Sequence, residues 1–125
     1  MPLTSAGVNF IAQAAVGQGV PFNAANAYIG VGDGSGAFSV NDTDLLGTNK
    51  FRKGMDDGFP EVHPPAIIFK STFEPSEANF DWHEWGIFNG AQEGVMLSRS
   101  IESNGTKQSN QTWVLEVAVT FMIGT

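Results

Sequence analysis

The chain contains no cysteine. That excludes disulfide staples, thiolate metal sites and a cysteine nucleophile together. Charge is scarce as well: 15% of residues carry one, where about a quarter is usual. Acidic residues outnumber basic ones 13 to 6, for a net charge of −7. A surface of that sign repels phosphate backbones and anionic lipid headgroups, so neither nucleic acid nor a membrane is expected as a partner. No apolar run approaches the ~20 residues that a spanning helix needs. The opening MPLTSAGVNF has neither a basic stretch nor a long apolar one, so no signal peptide is expected. Heptads, internal repeats and low-complexity tails are missing too.

What is present points to β structure. A length of 125 residues suits one domain, residues 1–125, with a core large enough to stand without staples. Fifteen glycines supply turns and ten phenylalanines supply bulky core. So much apolar material under so little charge implies that a partner covers part of the surface. The sequons at Asn41, Asn104 and Asn110 read as turn residues.

The first element is predicted to be a helix. Leu3, Ala6, Phe10, Ile11, Ala14 and Ala15 recur at helical spacing, with Thr4 or Ser5 as N-cap. Gly17, Gly19 and Pro21 end it. A strand over Ala27–Val31 leads into a glycine loop and a long polar connection, Ser39 to Gly58. Period-2 alternation then marks a strand through Ile67, Phe69, Ser71 and Phe73. Trp82–Asn89 and Val95–Ile101 should form a hairpin around NGAQEG. In the last strand, Trp113, Leu115, Val117, Val119, Phe121 and Ile123 make one apolar face, expected to be core. The fold class expected is mainly β: an antiparallel β-sandwich with one N-terminal α-helix.

Several stretches invite chemistry. YIGVGDGSGAF fits a dinucleotide fingerprint through Gly32, Gly34 and Ala37. That site needs a helix directly after the glycines, and SVNDTDLLGTNK lacks the apolar stripe for one. The loop is therefore read as a glycine-rich strand end. Asp33 to Asp44 fails the calcium-loop spacing, which leaves irregular cation binding by Asp33, Asp42 and Asp44 as an alternative. Asp81, His83 and Glu84, with His63 elsewhere, are the residues a zinc or acid–base site would use. On a strand, however, Glu84 faces away from the other two. No catalytic, metal or cofactor-binding residue is expected. KFRKGMDDGFPEV holds the one cluster of mixed charge. Lys50, Arg52, Lys53, Met55 and Phe59 are expected to dock on a neighbouring protein, Arg52 and Lys53 through its carboxylates.

The order of segments is itself informative. LTSAGVNFIAQA, YIGVGDGSGAF with NDTDLLG, FKSTFEPSEANFDWHEWGIFN, GVMLSRSI and WVLEVAVTFMI follow one another between Leu3 and Ile123. This series resembles small structural proteins of tailed-bacteriophage virions, of the tail-collar, tail-fibre-associated or capsid-decoration type. The resemblance implies a non-enzymatic building block, assembled in the host cytoplasm and located in the virion. Its partners would be further copies of itself and virion proteins such as the major capsid protein. A fibre needs a stalk, and this chain has no coiled coil or repeat to make one. Decoration of the capsid is therefore favoured, with a trimer as the expected unit. Two alternatives are an adaptor on tail, collar or fibre, and a carbohydrate-binding β-sandwich using Trp82, Trp85 and Trp113.

Overall fold

The computed structural model describes residues 1–122. Ile123, the last residue of the expected core face, lies outside them. Helix α1 (Ser5–Ala15) is followed by β1 (Tyr28–Gly32), β2 (Lys50–Gly54), β3 (Glu61–His63), β4 (Ala66–Phe73), β5 (Glu84–Phe88), β6 (Met96–Ile101) and β7 (Trp113–Thr120). Two antiparallel sheets form, ordered β2-β1-β5-β6 and β3-β4-β7. The expected sandwich with one helix is therefore the fold.

Local sequence explains the helix. Thr4 caps it, its hydroxyl accepting from the Gly7 amide at 2.9 Å. Gly17, at φ 78°, lets the chain turn away after Ala15. Only Gly7 and Phe10 of the helix are buried, so Ala14 and Ala15, read as apolar-face residues, lie exposed. Gly7 is where the helix meets β6. A side chain there would run into the Leu97 backbone.

The polar connection drawn from Ser39 to Gly58 contains a strand that the sequence reading missed, β2. It is an edge strand rich in charge, KFRKG, so its alternation is masked. β1 and β2 pair directly, Gly32 opposite Lys50, and the chain between them is one long loop, residues 33–49.

The four-stranded sheet has two differently built faces. Toward the three-stranded sheet it presents Ile29, Val31, Trp85 and Ile87, which pack with Phe69, Phe73, Val117 and Val119. Trp82 joins Phe73 and Trp113 there, edge to face at 4.9 Å each. On the opposite face the strand register sets Arg52, Gly30, Gly86 and Arg99 in one row. Gly32 stands beside Glu84 in the next.

Candidate functional site

The outer face of the four-stranded sheet holds the most concentrated chemistry in the molecule. Glu84 and Arg99 sit on neighbouring strands of the β5–β6 hairpin, and neither side chain is exposed at all. Arg99 Nε donates to Glu84 Oε1 at 2.9 Å. The same oxygen accepts the Leu46 amide at 2.9 Å, and Oε2 accepts the amides of Gly34 (2.9 Å) and Gly47 (2.8 Å). Four donors thus saturate one carboxylate. Arg99 Nη1 reaches Asp42 at 3.1 Å and Nη2 donates to the Gly36 carbonyl at 2.9 Å. A buried charge persists only when paired and hydrogen-bonded, and here it is both.

Glycine makes this packing possible. A Cβ on Gly32 would lie 2.5 Å from Glu84 Oε2. On Gly34 it would also meet the Gly47 nitrogen at 2.5 Å, and on Gly30 the Phe88 ring at 2.7 Å. The side chains of Glu84 and Phe88 lie flat across the sheet because those positions have none. The glycine loop is thus a wrap around a buried ion pair, held at its base by Asp33, which accepts from both Asn49 nitrogens (3.1 and 2.7 Å).

The hub leaves no vacancy for a substrate. Every Glu84 lone-pair direction is used, and the Arg99 fork is spent on carbonyls and Asp42. Asp33, Asp42 and Asp44, the suggested cation ligands, each face a different protein partner: Asn49, Arg99, and Lys50 with Arg52. Asp81 accepts from Thr106 and lies 3.8 Å from His83, with Glu84 turned to the other face, as its strand parity requires. His63 sits on β3, in the other sheet.

The expected docking residues are distributed along β2 and the turn after it. Lys50 reaches Asp44 at 3.1 Å. Arg52 stacks 3.5 Å above the Phe88 ring and donates to the Gly90 and Glu93 carbonyls at 2.8 Å and to Asp44 at 3.3 Å. Lys53 clamps both Glu77 oxygens at 2.8 Å. Met55 packs on the main core, and Phe59 lies under Lys70 with Nζ 5.4 Å from the ring. The carboxylates assigned to a neighbour of Arg52 and Lys53 are therefore met within the chain itself. The reason is register: pairing with β1 aims Arg52 over the sheet, toward the turn that ends β5.

These contacts tune the ionisable groups. Burial works to raise the Asp44 carboxyl, but the Lys50 and Leu45 hydrogen bonds and the charges of Lys50 and Arg52 outweigh it and hold it below its ordinary value. The Lys53 hydrogen bond, with the Glu74 amide, does the same for Glu77, and the Asn49 side chain for Asp33. Burial lowers Arg52 against the pull of Asp44.

A second concavity, of about 420 Å³, opens beside the N-terminal end of β7. Trp82, Trp85, Trp113, Val114 and Leu115 line it, with Asn104 and Thr112. Trp82 is 2% exposed and Trp85 7%, so Trp113 alone offers part of a ring to a ligand.

Sequence reading considered Glu84 only beside its chain neighbours Asp81 and His83. The available signal was across the hairpin. Glu84 and Arg99 are the charged residues of the two strands that flank NGAQEG, and their charges are opposite. The ladder sets Ile101 opposite Glu84 and Gly86 opposite Arg99, so the two are diagonal neighbours on one face, within reach of long side chains. No family model, curated protein or solved structure matches this chain.

Proposed function

We propose that the protein is a non-enzymatic structural subunit of a tailed-bacteriophage particle, a decoration or cement protein on the outside of the capsid. The observation that carries this reading is a convergence. The segments that resemble phage virion proteins supply one connected scaffold: Thr4, Gly30, Gly32, Asp42, Leu45, Glu84, Gly86, Phe88, Met96 and Arg99 all lie in the outer-face hub or against it. They carry rigidity, with no open position for a reacting group. A rigid platform with a pinned loop suits a part used many times on a lattice, where each copy must present the same surface.

Partners in this role are other copies of the chain and the major capsid protein. Placement on tail, collar or fibre is the alternative within the same reading, and copy number separates the two. Protein quantification of purified particles from a lysate carrying this coding sequence is the test. Hundreds of copies per particle support capsid decoration, and a few copies place the chain on tail or collar. Absence from particles overturns the proposal. The Trp113 groove favours a saccharide ligand as a second reading, which a glycan array with wild type and Trp113→Ala tests directly.

A further inference from the structure

The edges of the two sheets differ. The β6 edge is occupied: Leu3 bridges to Ser98, and Thr4 bonds the Leu97 and Met96 carbonyls. β3 is three residues long. On β2, Ser71 Oγ caps the Lys53 and Gly54 carbonyls. β7 is eight residues long, paired with β4 on one side only and without a bulge.

The ladder with β4 fixes which backbone groups β7 leaves over. The Phe121 amide donates to the Pro65 carbonyl at 2.9 Å. Antiparallel alternation then turns the backbone groups of Val119, Val117, Leu115 and Trp113 toward β4, and those of Val114, Glu116, Ala118 and Thr120 outward. No hydrogen bond from a described residue reaches these outward groups. Natural edges are blunted by lysine, proline or bulges. Here the side chains at the outward positions are Val114, 55% exposed, Ala118, Thr120 and a single charge, Glu116.

We propose that β7 is a self-association site, where the β7 strands of two copies pair antiparallel about a two-fold axis and join their three-stranded sheets into one of six strands. Only an extended strand offers donors and acceptors at this spacing. The row is also its own complement when reversed. With the axis through Val117, Glu116 falls opposite Ala118 of the second copy, and Val114 opposite Thr120. Every outward N–H then meets a C=O, and no glutamate faces a glutamate. Within its own sheet Glu116 stands opposite Lys70, so charge is balanced locally although the chain is acidic overall. Self-complementarity of this kind is what a two-fold contact requires. It is a two-fold contact, where the decoration role alone suggested a trimer. It gives the proposed structural subunit its means of joining copies and rests on that reading for its purpose, while its geometry stands apart from it.

The test is the mass of the full chain in solution by light scattering across a concentration series. Wild type is expected to rise toward twice 13.3 kDa. Ala118→Pro removes an outward N–H and leaves the β4 ladder whole, so it is expected to stay monomeric with unchanged circular dichroism. Ala118→Glu sets glutamate against glutamate twice, by symmetry, and should raise the dimer Kd about tenfold, whereas Ala118→Lys should lower it. The Glu and Lys variants keep the test decisive if the proline variant fails to fold. A wild type that stays monomeric throughout overturns the proposal, as does a trimer, or a dimer indifferent to all three substitutions. None of these outcomes bears on whether the chain is found in virions, which the particle assay decides separately.

Discussion

The two faces of the four-stranded sheet are held by opposite physics. The inner face is dry and apolar: Ile29, Val31 and Ile87 are fully buried against Phe69, Phe73 and Val119. Its cohesion is area removed from water, and no single contact decides it. The outer face centres on one carboxylate that gathers an arginine from β6 and three backbone amides from the 33–49 loop. Leu45, Phe88 and Met96 add a small cluster beside it. A diffuse core tolerates small errors, whereas a saturated polar hub fails with the loss of one member.

Substitutions can break or sharpen that contrast. The largest effect is expected from Val119→Asp. An unpaired carboxylate in the inner core costs several kcal/mol, on the order of the whole stability of a domain, and circular dichroism should show an unfolded chain. Next comes Glu84→Gln, which takes the fully buried carboxylate from Arg99 and leaves it Asp42 alone, at about 3 kcal/mol. Chemical denaturation measures that loss, and hydrogen exchange should locate new opening in residues 33–49. Replacing both partners, Glu84→Leu with Arg99→Met, often restores stability where a buried pair stands alone. Here the amides of Gly34, Leu46 and Gly47 would still lose their acceptor, so the double variant should remain well below wild type. A full recovery would mean that the hub is an ordinary ion pair.

Gly32→Ala should cost about 1–3 kcal/mol by pushing Glu84 from its seat, read as a lower melting temperature. The smallest effect concerns pH. Glu77, Asp44 and Asp33 have folded pKa values held below their ordinary ones. The unfolded chain therefore binds protons first as acid is added. The stabilisation is complete above the unfolded values, about 4, and is lost as pH falls through them toward the folded ones. The urea midpoint should drop between neutral pH and about pH 3, and Lys53→Met should shrink the drop by removing the Glu77 share.

Much of the fold was legible because alternation and turns are local. The β4 and β7 alternations, the NGAQEG hairpin and the Thr4 cap could be read directly, since each depends on residues adjacent in the chain. β2 was not, because KFRKG is stabilised by its neighbour β1 and shows no apolar period of its own. The apolar face of β7 was only partly core. Val117 and Val119 are buried, while Trp113 and Leu115 are half-buried and line the groove where β7 reaches the edge of the sandwich.

The amino-acid sequence by itself determined the class of fold, one helix on a two-sheet β-sandwich, and the reading of the glycine loop as scaffold. Hydrophobic period, caps and turn residues act over a few positions, and those are visible in a string of letters. Tertiary structure alone decided what the glycines make room for and where the charges of Arg52 and Lys53 are spent. Glu84 is fifty residues from Gly34 and fifteen from Arg99, and only strand register brings the three together. Strand order put β7 at an edge of the sandwich, and register with β4 decided which of its backbone groups face away.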